Sequence, residues 1–231
     1  MTPAPAGRAE NRARPPIGGS IAYLLLNLPV GIAGFVVLLT LGAVGVSTAI
    51  VWVGVPIAAL AVLCARGGAR LERARIHSML GTYIPLPYRP LPEGGQKPRW
   101  RARLRDGATW RDVAYFLLLF PLGIVQFVLV VTFWSVSLAL LALPVYYRFL
   151  PGGAYHFPGY DLRWITVDSA LAALPWAALG VLFVALSVAL TRALAAGHAG
   201  FARSLLGPSS ERFREAEDSF RAARPMSPVA G

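Results

Sequence analysis

Ala22 to Thr40 reads AYLLLNLPVGIAGFVVLLT, and Ala114 to Thr132 reads AYFLLLFPLGIVQFVLVVT. At a constant offset of 92, ten of the nineteen aligned positions are identical, among them Tyr23/Tyr115, Pro29/Pro121, Gly31/Gly123 and Phe35/Phe127. Apolar spans draw on few residue types, so matched leucines carry little weight. A Tyr, Pro, Gly and Phe held in register carry more. Each stretch has the length and polarity of one helical membrane crossing, and the recurrence predicts a chain built from two similar halves.

The composition agrees. Hydrophobic residues make up 56% of the 231-residue chain and charged residues only 14%, too few to cover a water-facing domain. The 22 Lys+Arg against 11 Asp+Glu do not predict a nucleic-acid partner, because the basic residues lie between apolar runs instead of on one folded face. Cys64, the single cysteine, lies inside an apolar run and forms no intramolecular disulfide.

Ile17 to Ala65 holds no Asp, Glu, Lys or Arg over 49 residues, which predicts two spans, about 21–42 and 47–66, joined by a turn at Leu41 to Thr48. Val113 to Tyr147 is uncharged over 35 residues and Ser169 to Thr191 over 23, predicting single spans at about 113–143 and 169–191. The first run far exceeds a signal-peptide core of roughly 7–15 residues, so cleavage is not expected. The segments before the first span, between the second and third, and after the fourth hold twenty of the 22 basic residues. The positive-inside rule then predicts a plasma-membrane, multi-pass protein with both termini cytoplasmic and an outside loop at 145–168.

The second helix of each half also repeats. RGGARLERARIHSMLG, Arg66 to Gly81, aligns with RALAAGHAGFARSLLG, Arg192 to Gly207, at an offset of 126. The expected fold class is therefore an all-α membrane protein: four transmembrane helices as two parallel-repeat helix pairs, with cytoplasmic amphipathic segments. Pro29 and Pro121 are expected to kink the first helix of each pair.

No ionisable side chain is apparent within the predicted spans, which disfavours a transporter. His77, His156 and His198 are scattered without Cys or paired carboxylates at ligand spacing, so neither metal nor cofactor is expected. No hydrolase or nucleotide-binding phrase occurs, and no enzymatic activity is expected. Two readings of the aromatic loop 145–168 remain open. It is an interfacial belt, or it holds a ligand site formed by Tyr155, His156, Tyr160, Asp161, Arg163 and Trp164. Partner or lipid contacts are expected at Arg73, Arg75, Arg101, Arg103, Trp110 and Arg111, with Thr109 capping the third span. IPLPYRPLPEGG, Ile84 to Gly95, is too rich in proline for a helix and is expected to be extended.

Taken together, ERARIHSMLG, IPLPYRPLPEGG and RDGATWRDVAYFLLLFPLGIVQF resemble the putative-sensor membrane domain family of actinobacteria, which often precedes a two-component histidine kinase. The resemblance spans about 20–208 and implies a sensory module with no catalytic residues. It also implies a separate histidine kinase or another cytoplasmic signalling protein as partner, while the basic segments predict contact with membrane lipids and the apolar spacing after Ser209 a homodimer seam. After SLLGPSSERF only 18 residues remain, without a phospho-acceptor histidine or ATP-binding glycine boxes, so kinase activity is not expected of these residues. Residues 1–19 are expected to be a disordered tail and 225–231 a disordered end. Between them, 209–224 is expected to form a short cytoplasmic helix presenting Phe213 and Phe220 to a partner. A membrane scaffold or assembly subunit without a stimulus is the alternative function.

Overall fold

The structure is a computed structural model and describes residues 16–88, 92–93, 95–159 and 163–208. The predicted tail, the 209–224 helix with Phe213 and Phe220, and the loop positions Tyr160 and Asp161 lie outside the described residues.

Among the described residues, four helices are long and apolar enough to cross a membrane: α1 (Ile17–Ser47), α2 (Gly54–Leu80), α4 (Gly107–Tyr146) and α5 (Ala170–Leu206). A short basic helix, α3 (Gln96–Arg105), precedes α4 and buries no side chain. The chain is an all-α membrane protein. Its helices satisfy their own backbone groups, as a bilayer requires, and turn outward the aliphatics of each span, such as Val36, Leu39, Val125, Leu138 and Leu182. At 1.5 Å per residue, the 40 residues of α4 span roughly 60 Å against a hydrocarbon core of about 30 Å. The helices therefore overshoot the apolar layer. Most of the overshoot lies where α1 and α4 begin and α2 and α5 end, called here the basic end.

The α1–α2 connection occurs later than glycine content suggested. Gly42 and Gly45 stay helical, α1 runs to Ser47, and the turn passes through a 3-10 segment, Ala49–Val51, with Trp52 left-handed at φ 62°. The glycines serve packing instead. A Cβ on Gly45 would stand 3.0 Å from the Ala58 backbone nitrogen, and a Cβ on Gly54 would collide with the Gly45 carbonyl. The two helices thus approach closely just before the chain reverses.

The α1/α4 contact is reciprocal. A Cβ on Gly31 would lie 3.0 Å from the Leu119 carbonyl oxygen, and one on Gly123 would lie 2.8 Å from that of Asn27. Asn27 and Leu119 are themselves 92 positions apart, so each glycine admits the backbone of the other helix one turn before its counterpart. Both helices continue unbroken through Pro29 and Pro121. The α4/α5 pair is joined by Gly180 against Leu141, by the Ser137–Ser187 hydroxyl pair at 2.8 Å, and by Trp134 Nε1 donating to Thr191 at 3.1 Å.

At the other end, β1 (Tyr155–Pro158) and β2 (Arg163–Val167) form an antiparallel hairpin. Its inward rings seat on the helices: Phe157 stacks on Trp176 at 4.0 Å, and Val167 joins a cluster with Leu143 and Ala173. The strands are too short for their two-residue alternation to stand out in sequence.

α4 is capped by Asp106, whose carboxylate accepts from the Ala108 N–H at 3.1 Å, and not by Thr109. Thr109 lies one turn inside the helix, fully buried, and donates to the Arg103 carbonyl at 2.8 Å, holding α3 against α4. Residues 82–88 after α2 form neither helix nor strand, and Ile84 is buried in the core cluster with Leu80 and Leu206.

Candidate functional site

Where α2 and α5 leave their uncharged runs, their inward faces do not change course. The buried positions Ala65, Ala69, Glu72, Ile76 and Leu80 of α2 continue at three-four spacing, as do Thr191, Ala195, His198, Ala202 and Leu206 of α5. The two series are related position by position at the offset of 126, which sets Glu72 opposite His198. The α1/α4 register does the same for Tyr23 and Tyr115.

These four residues meet. Tyr23 and Tyr115 donate to Glu72 Oε1 at 2.7 and 3.0 Å, and Arg75 Nη2 donates to the same oxygen at 2.8 Å. Arg75 also donates to Asn27 Oδ1, and its guanidinium lies 4.5 Å from the centre of the Tyr23 ring. Asn27 Nδ2 donates to Gln126 Oε1 at 2.7 Å, and Gln126 Nε2 donates to His198 Nδ1 at 3.0 Å. His198 Nε2 lies 3.1 Å from the Tyr115 hydroxyl.

The directions agree all the way round. Because Arg75 occupies Asn27 Oδ1, the Asn27 amide must donate onward, and so must that of Gln126. His198 Nδ1 therefore accepts, the imidazole is neutral, and its proton sits on Nε2, donating to Tyr115. The result is a closed ring through Arg75, Asn27, Gln126, His198, Tyr115 and Glu72, with Tyr23 as a spur. Asn27, Glu72, Gln126 and His198 are all at most 3% exposed, and the ring draws a side chain from each of α1, α2, α4 and α5. A buried polar group without a partner costs more than a satisfied one gains, so the ring sets the mutual rotation of all four helices.

Next to the ring, a cavity of about 530 Å³ opens between α4 and α5. Its walls are apolar, including Leu118, Pro121, Leu122 and Phe201, and Gln126 and His198 supply its polar lining. Mostly apolar walls with a few convergent polar groups are the usual makeup of a small-molecule pocket.

A second polar cluster fastens the loop after α2. Arg73 donates to the Leu206 carbonyl at 2.9 Å from Nη2 and 3.1 Å from Nε, neutralising the negative end of α5. It also pairs with Asp112 at 3.1 Å. Tyr88 donates to Asp112 at 2.7 Å beneath the Arg66 guanidinium, 4.2 Å from its ring, and Arg66 pairs with Asp106 at 2.8 Å. Burial, and then the bond to the Asp112 carboxylate, push the Tyr88 phenol above its ordinary value.

Several expected site residues stand elsewhere. Arg73 and Arg75 do not face lipid or a partner; both are turned inward and ion-paired. Arg101 is exposed on α3, and Arg103 sits 5.0 Å over the Trp100 ring. Trp110 is 58% exposed with its indole N–H on the Leu104 carbonyl, and Arg111 is half-buried. In the hairpin, Tyr155 packs on Phe157 at 4.6 Å, His156 bonds Thr166 across the strands at 3.1 Å, and Trp164 is 79% exposed. Arg163 begins β2. Among the described hairpin residues, Tyr155 faces the helices and His156 pairs across the hairpin.

Four spanning helices locked by a buried polar ring define a multi-pass membrane protein whose chemistry lies between its helices. A family model described as "Putative sensor" matches residues 23–206, from the Tyr23 of the ring to the last residue of α5. The chain belongs to that family. No curated protein and no solved structure matches it.

Proposed function

We propose that the chain is a sensory module of the plasma membrane that relays a bilayer or extracytoplasmic stimulus to a cytoplasmic partner, the basic end lying in the cytoplasm and the hairpin outside. The observation that carries this reading is the ring beside the α4/α5 cavity. Occupancy of the cavity by an apolar molecule that competes for Gln126 or His198 would break the ring. One event would then loosen all four helices together, which is the two-state element a relay needs. Membership of a family described as a putative sensor supports this role, and charge asymmetry supports the orientation. A histidine kinase is the natural receiver, meeting the exposed Arg101, Trp110 and the α3 surface.

Gly197→Leu tests the reading. Gly197 lines the cavity with no atom within 4 Å of its would-be Cβ, so a leucine fills the space without a clash. The host's transcriptional response should be lost or locked on, at an unchanged level of protein in the membrane. An unchanged response in Gly197→Leu and in Gln126→Leu would refute it. A photo-crosslinked partner at Trp110 captured equally under all conditions would favour a constitutive scaffold.

A further inference from the structure

The two halves of the chain share a frame, and one place in that frame is filled in one half and open in the other. In the first, Arg66 and Arg73 of α2 face Asp106 and Asp112 at the start of α4, and Tyr88 closes over them. The related place lies between the end of α5 and the start of α1. There Arg192 corresponds to Arg66, but the position of Asp112 is taken by Ser20 and that of Asp106 by Arg14. The internal anions are gone while a cation remains.

A cavity of about 290 Å³ lies at this place, lined by Ser20, Leu80, Thr82, Arg192, Ala196 and Arg203. Ser20 is 1% exposed, and its hydroxyl is buried without a hydrogen-bond partner. Neither Arg192 nor Arg203 belongs to the described ion pairs. The Arg203 guanidinium is drawn back one turn by its Nε–H on the Ala199 carbonyl at 3.3 Å. α1 begins three residues before Ser20 with no acidic residue in its first turn and no side-chain cap, so its positive end is not offset locally.

We propose that this cavity binds a phosphate group, which supplies the negative charge that Asp112 supplies in the other half. Arg192 and Arg203 donate to its oxygens and the Ser20 hydroxyl donates a hydrogen bond to a third. The phosphate comes from the headgroup of an anionic lipid or from soluble phosphate. The site is separate from the ring, and the proposal stands whether or not the chain is a sensor.

The test uses the full chain, reconstituted in phosphatidylcholine with and without phosphatidylglycerol, extracted in mild detergent and weighed intact by native mass spectrometry. One phosphatidylglycerol per chain should be retained. Replacing Arg192 and Arg203 by Gln should weaken retention by about tenfold or more. The matched loss of two charges from exposed α3 positions, Lys97→Gln with Arg99→Gln, should leave it unchanged. Ser20→Asp rebuilds the carboxylate of the other half, and should expel the lipid while keeping or raising the melting temperature. If millimolar inorganic phosphate stabilises the wild type but not Ser20→Asp, and no lipid is retained, soluble phosphate is the ligand. Equal loss in the α3 control, or undiminished binding of either probe in Ser20→Asp, overturns the proposal. So does lipid retention seen only after Glu211→Gln with Glu215→Gln, which would mean that the chain's own acidic segment fills the cavity.

Discussion

Glu72→Ala removes the acceptor on which Tyr23, Tyr115 and Arg75 converge, at 2.7, 3.0 and 2.8 Å. Arg75 is then a buried cation with no carboxylate, and two buried hydroxyls lose their acceptor. Breaking a buried ion pair from one side costs about 3–5 kcal/mol, and each stranded hydroxyl adds about 1 kcal/mol unless it turns to another acceptor. The single variant should therefore lose about 5–7 kcal/mol, measured by reversible unfolding in mixed micelles. Arg75→Met alone should cost about 3 kcal/mol, because it strands the carboxylate. Combining Glu72→Leu with Arg75→Met replaces both charges by apolar bulk and should recover at least about 2 kcal/mol relative to the sum of Glu72→Leu and Arg75→Met measured singly. Additive losses, with no coupling in the cycle, would refute the view that these two charges form the ends of one network.

Gly31→Ala and Gly123→Ala should each destabilise by about 1–3 kcal/mol through backbone clash, whereas Gly42→Ala and Gly67→Ala, which meet nothing within 4 Å, should be neutral or slightly stabilising in the same thermal melts. Tyr88→Phe should cost about 1–2 kcal/mol for its bond to Asp112. Because the folded-state Tyr88 phenol is raised above its ordinary 10.0, its stabilisation is present below that pH and lost as pH rises through the folded value, so the wild type should lose more stability than Tyr88→Phe in alkaline titrations. Trp134→Phe should weaken the α4/α5 pair by about 1 kcal/mol through loss of the Thr191 bond.

The architecture was legible because the repeat is written in residues with geometric jobs. Tyr23/Tyr115 meet at one carboxylate, and Gly31/Gly123 make the helix crossing. The charged half of the ring is not legible in the sequence for a definite reason: Glu72, Arg75 and His198 lie at or beyond the first charged residue of their helices, where an apolar run ends and burial is not expected. In the folded chain α2 and α5 continue as rods past the apolar layer and keep an inward face there. The signal was present in the 126-residue alignment, which already placed Glu72 opposite His198. Arg73 was misread for a related reason, since a lone arginine in a basic segment gives no sign that the end of α5 will stand beside it. The turn at Leu41 to Thr48 was misplaced because glycine marks close helix contact as well as reversal, and only the fold separates the two uses at Gly45 and Gly54. The hairpin went unseen because strands of four and five residues show too little alternation.

The ring has a handedness that its two charged members impose. Arg75 can only give protons and an ionised Glu72 can only take them, so every amide and the imidazole tautomer between them is aligned in one sense, like arrows on a one-way street. Placing a proton on His198 Nδ1 reverses the demand on Gln126, which must rotate and present its oxygen. Asn27 must rotate in turn, and its amide then points nitrogen first at Arg75. The conflict created on α5 therefore surfaces on α2, where the side chain cannot yield by reorienting an amide. Such a circuit does not dilute a local disturbance along its length; it delivers it whole to the one member unable to absorb it.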